Sequence, residues 1–347
     1  MEHDINLLVT TAGGSGVYPT MEAVKHSKYK INLTLVDGSE LAGALYEGFK
    51  SYKIPFVNDS NYLCALKKII EKENINYILT PLDEELNFLS SKTNELKKLN
   101  LKYLIPKHTS LLNAWDKRAT FKLCKEFMST SYILDKDLPL KKIYDEIGNV
   151  LLKPALSRGG RGIIIPEDYE EFEFYTKRFL KKQIPYLIQK LVQGKEYNIT
   201  TLHDTNGNLV YAVPRWKFET RVIKSGSKAS VIEENNEVVE FALKVLKKMD
   251  LEYGFNNVEV IQNEEGIFLL EVNAGRIAAQ DMNIVKAGIN YVDLFIDIVN
   301  GQKVPLCKPS SHMCNIKTSR DIWVDYNQIE IKRKVYDEII DSCRTSR

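Results

Sequence analysis

Asn257 to Arg276 read NVEVIQNEEGIFLLEVNAGR. Two short apolar runs flank Asn263-Glu264-Glu265-Gly266, a composition suited to the turn of a β-hairpin. Strand alternation turns Glu259 away from its neighbours Val258 and Val260. Glu271 and Asn273 lie two apart, so they share one face of the second strand while Val272 takes the other. Side by side, the two strands gather two carboxylates and an amide oxygen on one sheet face. Such an all-oxygen set suits a hard cation, and magnesium completes its shell with water and nucleotide phosphates. A solvated hairpin with ordinary acids has the same local pattern, so the reading depends on what precedes it.

The chain has 347 residues, a length for two or three subdomains. Hydrophobic residues make up 44% and charged residues 27%, an ordinary globular balance. A net charge of +2 offers no global field toward nucleic acid or membrane, and neither is expected as a partner. Cys64, Cys124, Cys307, Cys314 and Cys343 are scattered, without zinc-ligand spacing, which reads as a reduced protein with no structural metal. The acidic start Met-Glu-His-Asp is unlike a signal peptide, and no apolar run reaches membrane-spanning length. A cytoplasmic location is expected.

Upstream, Ile5 to Thr10 and Ile31 to Val36 read as strands, separated by the turn Gly13-Gly14-Ser15-Gly16 and a helix. Leu63, Leu66, Ile69 and Ile70 recur at helical spacing, Ile75 to Leu79 is the next strand, and Asp83 is a candidate cap for the helix after it. This predicts a parallel βαβ sheet at the N-terminus. A helix over Asp116 to Met128 is followed by strand Val150 to Pro154, the loop Ser157-Arg158-Gly159-Gly160-Arg161-Gly162, and a strand over Ile163 to Ile165. Then come an aromatic-rich helix, strand Tyr186 to Gln189, β-like sequence over 196–232, and an amphipathic helix over 235–250. Beyond the hairpin, a strand at Met313 to Lys317 and a helix at Ile329 to Cys343 complete the chain.

Lys153 ends a strand just before glycines whose bare backbone can approach an anion. The lysine precedes the glycines and a strand follows them, so this is not a P-loop. Gln189 to Glu196, broken at Gly194, can offer backbone groups to an adenine edge. The order Lys117, Lys153, glycine loop, Gln189 to Glu196, then Glu259, Glu271 and Asn273 resembles the ATP-grasp superfamily, in its branch related to carbamoyl-phosphate synthetase and biotin carboxylase.

That resemblance implies an α/β and α+β chain: an N-terminal Rossmann-like parallel-sheet domain over 1–118 and a glycine-loop lid subdomain over 119–193. A C-terminal metal and nucleotide subdomain over 194–301 and an extension over 302–347 complete it. By the same resemblance Lys117 and Lys153 contact ATP phosphates, and Gly159 and Gly160 lie over them. Gln189, Lys190, Leu191, Val192 and Glu196 serve adenine and ribose, and Lys224 adds a phosphate contact. Glu259, Glu271 and Asn273 hold magnesium, two ions being expected, with manganese as a substitute. Where the family has Pro then Arg after the magnesium Asn, this chain has Ala274-Gly275-Arg276. Glu259 stands where Gln is common and adds charge for the metal. Arg276 is a candidate for the transferred phosphoryl group or for an ion pair with Asp281. Arg215 and Arg221 are candidates to clamp a substrate carboxylate or to form structural salt bridges.

The activity implied is an ATP- and magnesium-dependent carboxylate–amine ligase, releasing ADP and phosphate through an acyl phosphate. Its partners would be a small carboxylic acid and a nucleophile, and a homodimer is a further expectation. Three other readings stand beside it: a non-catalytic ATP-binding sensor, a small-molecule kinase, and a dinucleotide enzyme using Gly13 to Gly16 with Asp37. The last has Pro19 after its glycines where a third glycine belongs.

Overall fold

A computed structural model describes residues 4–157, 159–218, 228–318 and 321–345. The first sheet contains β1 (Ile5–Val9), β2 (Ile31–Asp37), β3 (Lys50–Lys53) and β4 (Tyr77–Leu79), all parallel in the order β3-β2-β1-β4. β3 has no counterpart in the sequence reading, because its four half-exposed residues carry no apolar alternation. Asp37 is committed to the fold. Its carboxylate accepts the Gly13 N–H at 2.7 Å and the Ser39 N–H at 2.7 Å, so it closes the glycine turn that a dinucleotide reading would leave open for a ribose.

A small antiparallel sheet follows, of β5 (Ser131–Ile133), β6 (Val150–Pro154) and β7 (Tyr186–Lys190) in the order β5-β7-β6. Helices Leu140–Ile147 and Tyr169–Lys181 cover it around Ile143, Leu152, Phe172, Phe179 and Ile188. The strand expected at Ile163 to Ile165 is reduced to one bridge, Leu152 to Ile164. Pro166 follows at once and has no N–H to extend a ladder. The helix expected over Asp116 to Met128 is shorter, Lys117–Cys124 capped by Asp116, with a 3-10 turn at Lys125–Phe127.

The largest sheet has six strands: β8 (Lys195–His203), β9 (Leu209–Phe218), β10 (Ala229–Ile232), β11 (Gly254–Asn263), β12 (Gly266–Ala274) and β13 (Cys314–Ile316). Their order is β12-β11-β8-β9-β10-β13. Glu264 and Glu265 form the two-residue turn between β11 and β12, since Asn263 pairs with Gly266. On one face Tyr197, Ile199, Val258, Val260 and Val272 pack with helix Asn236–Lys248. That core runs on without a break into the N-terminal helices through Leu66, Leu86 and Leu111, whereas the small sheet keeps a core of its own.

The C-terminal helix Tyr326–Thr345 returns to the first sheet, where Arg333 and Lys53 pair with Glu40 and hold its carboxyl down to about 2. A Cys64–Cys343 disulfide joins that helix to helix Tyr62–Lys72, which corrects the expectation of wholly reduced cysteines. The partners are 279 residues apart and no local spacing reveals them. Among the described residues no helix is long and apolar enough to cross a membrane.

Candidate functional site

The polar face of the six-stranded sheet is laid out by its register. Glu271 pairs with Glu259, Glu259 with Asn198, and Asn198 with Arg215, so these side chains line up across four strands. A second row runs Asn273, Asn257, Thr200. The β11–β12 pairing slips after Glu259, from Glu259–Glu271 to Val260–Leu269, leaving Leu270 as an extra residue. A bulge frees that residue's backbone from the ladder. The Leu270 carbonyl accepts the Lys153 ammonium at 2.7 Å. Lys153, on β6, is thereby held against the β11–β12 hairpin.

Lys153 is 7% exposed, and burial draws its ammonium down to about 8 against the opposing pull of Glu271. Lys117, equally buried, donates to the Ser157 carbonyl at 2.7 Å and lies 3.7 Å from Glu271. These two lysines edge a slot with about 270 Å³ of open space, whose other walls include Met128, Leu187 and Leu270. Beside it is a cleft of about 370 Å³ shared by Asp83, Asn87, Lys117, Ser157, Glu271 and Asn273. The slot is apolar on one side, is edged by two ammonium groups, and opens beside a row of oxygens.

Gln189 is buried and its side-chain Nε2 has no hydrogen-bond partner. Lys190 reaches Glu265 at 2.9 Å, and its carbonyl accepts the Ser129 hydroxyl at 3.0 Å. The Leu191 N–H is already given to the Asn149 carbonyl, so this amide is not open to an adenine edge. Val192 follows in the link to β8, whose Glu196 hydrogen-bonds Lys217. Gly159 and Gly160 have φ of 63° and 67°, a backbone that side chains rarely adopt, and the loop there belongs to the small sheet with its separate core. Lys224, Arg221 and Arg158 lie outside the described residues.

Three expectations change. Arg215 is not a substrate clamp on an open face: it is 0% exposed and absent from the cleft lining. Its Nη2 meets Asn198, Thr200 and Asp281, the last at 3.2 Å. The sheet's interior position buries it, and Asp281 supplies its counter-charge. Arg276 therefore does not take Asp281. Its Nη1 donates to Asp83 Oδ2 at 3.0 Å and Asn273 Oδ1 at 3.1 Å, linking the N-terminal domain to the hairpin. Asp83 consequently turns to Arg276 and caps no helix; Leu82 holds that position without a side-chain bond.

One site residue is absent from the sequence reading. Lys217, two along β9 from Arg215 and so on the same face, donates to Glu196 and to Glu259 Oε2, the latter at 2.6 Å. Burial pushes the Glu259 carboxyl up, but Lys217 outweighs it and holds the group below the usual carboxylate range. Strand alternation was the available signal; the reach across β8 was not.

Residues 114–280 match the family described as an ATP-grasp domain, and residues 7–104 match the PylC-like N-terminal domain. The carbamoyl phosphate synthase large chain of Clostridium botulinum is 30% identical over 165 residues, 45% of this chain and 15% of that one. This chain thus spans a small part of such relatives. The tyramine–L-glutamate ligase of Methanocaldococcus fervens is 25% identical over 231 residues, 66% of this chain and 68% of that one. Among solved structures, N5-carboxyaminoimidazole synthetase of Staphylococcus aureus, complexed with ADP, superposes with a TM-score of 0.70 at 14% identity, covering 90% of this chain and 82% of that one. That likeness is one of fold.

Proposed function

The chain belongs to the ATP-grasp superfamily, and from that premise we propose that it is an ATP- and magnesium-dependent carboxylate–amine ligase. The observation that carries the reading is the meeting of Lys117, Lys153, Glu271 and Asn273 around two adjoining clefts. The lysines hold the phosphates, and the hairpin oxygens would hold magnesium. Bound there, magnesium would draw charge off the phosphoryl group as it transfers.

In this mechanism a substrate carboxylate oxygen attacks the γ-phosphorus, the bond to ADP breaks, and an acyl phosphate forms. An amine then attacks the acyl carbon, phosphate leaves, and the amide remains. The acyl phosphate must be kept from water, which assigns the small sheet and its glycine loop the part of a lid. Its separate core supports that part, because it can swing without opening the rest of the molecule. Asp83, held by Arg276, lines the cleft together with Lys117, and there the acceptor enters.

Phosphorus NMR of the protein with ATP, magnesium and a pool of amino and dicarboxylic acids tests this. ADP and phosphate appearing only with the pool is the expected result. A new phosphoester resonance would make it a kinase, AMP with pyrophosphate would sink the mechanism, and nucleotide binding without turnover would indicate a sensor. Glu271→Ala should abolish turnover and keep the fold, since Glu271 lies at the cleft and outside the packed cores.

A further inference from the structure

Each expected metal ligand faces a cation of the protein itself. Glu271 has Lys117 at 3.7 Å, Asn273 has Arg276 at 3.1 Å, and Glu259 has Lys217 at 2.6 Å. The three cations are not equivalent. Lys117 lines the cleft and the Arg276 side chain is 27% exposed, so both can turn to a phosphate. Lys217, as buried as Lys117, is absent from the cleft lining and is held from the middle of β9 by direct hydrogen bonds to two acids at once.

A divalent ion taking Glu259 would have to draw a buried ammonium off one of its two acids and leave it on Glu196 alone, a loss of the kind that makes disrupted buried ion pairs unfavourable. No such eviction is needed at Glu271 and Asn273. The side chains balance without any metal: Glu196, Glu259, Glu271 and Asp83 against Lys117, Lys153, Lys217 and Arg276.

We propose that Lys217 is a built-in cation that fills the Glu259 side of the hairpin, so that the protein takes a single divalent ion with its nucleotide, on Glu271 and Asn273. This rests on the nucleotide site proposed above. Lys217 is a positioning residue, acting through the acid it occupies.

Manganese titration of the full chain with a non-hydrolysable ATP analogue, read by electron paramagnetic resonance, tests the inference without relying on turnover. One manganese per nucleotide is expected in the native protein. Glu259→Ala, which removes the oxygen altogether, should leave that stoichiometry at one and the affinity within about threefold. Lys217→Met should free Glu259 and admit a second ion. Two ions on the native protein, a tenfold weakening in Glu259→Ala, or a folded Lys217→Met that still binds one would each overturn the proposal. If Lys217→Met fails to fold, Glu259→Ala still decides. Failure of the native protein to bind the analogue would overturn the nucleotide site, and this inference with it.

Discussion

His203 shows how burial alone can couple one residue to the pH dependence of the whole protein. It is 2% exposed at the end of β8, its Nδ1 has no partner, and burial pulls its imidazole down to about 4 despite Asp204. The unfolded chain takes up the proton near pH 6.5, while the folded one resists it. The neutral ring's contribution is therefore complete above pH 6.5 and is lost as pH falls toward 4, about 3 kcal/mol in all. Urea unfolding at pH 7 and pH 5 should show about 2 kcal/mol of that loss in the native protein. In His203→Leu the acid loss should shrink by the same amount. An unchanged difference would mean that other groups govern the acid limb. Glu259 teaches a related lesson, since its character is set by a lysine two strands away, and adding an acid to a ligand set does not always add a ligand.

Elements with strong local patterns were legible from residues alone. The β11–β12 hairpin, β1, β2 and helix Asn236–Lys248 follow from alternation, turn composition and helical spacing. β5 and helix Leu140–Ile147 were not, because a three-residue strand is stabilised by a partner 50 or more residues on, and nothing near Ser131 announces it. In the site, the lysines and hairpin oxygens could be read from order, but the bulge at Leu270 and the Lys217 bridge arise only when distant strands pair.

The Gly13 to Gly16 turn looked like a ligand loop, and its last glycine has another use. A Cβ on Gly16 would lie 2.4 Å from the Ile277 carbonyl oxygen, next to Arg276. Gly16→Ala should cost about 1–3 kcal/mol by overpacking and, by pushing Ile277, disturb the Arg276–Asp83 bridge. Thermal melts and turnover should both fall. Gly48→Ala meets no atom within 4 Å, and its positive φ should cost about 1 kcal/mol with turnover unaffected. If Gly16→Ala behaved like Gly48→Ala, the turn would have no part in placing Arg276.

At the scale of the molecule, the N-terminal domain and the six-stranded sheet share one continuous core, and the small sheet stands apart with its own. The slot proposed for nucleotide lies where these two bodies meet, since Lys153 comes from one and the Leu270 carbonyl from the other. Such a junction carries charge that folding alone would not select. Lys153 is displaced from 10.5 to about 8 by burial, so at neutral pH its charged form opposes folding; the cost fades only as pH rises through 8 toward 10.5. Lys153→Met removes that charge while filling similar space, though it leaves the Leu270 carbonyl without its donor. The net gain in stability of the nucleotide-free protein should be about 1–2 kcal/mol. The native protein, in turn, should gain about 2.7 kcal/mol when the magnesium–ATP complex is present at one hundred times its dissociation constant. The variant should gain almost nothing at the same concentration. Melting curves at pH 7.5, with and without nucleotide, would thus cross over: the variant higher when free, the native protein higher when loaded. A variant that kept the nucleotide shift would remove Lys153 from the phosphate site. One that melted lower when free would show that the Leu270 contact outweighs the burial of the charge.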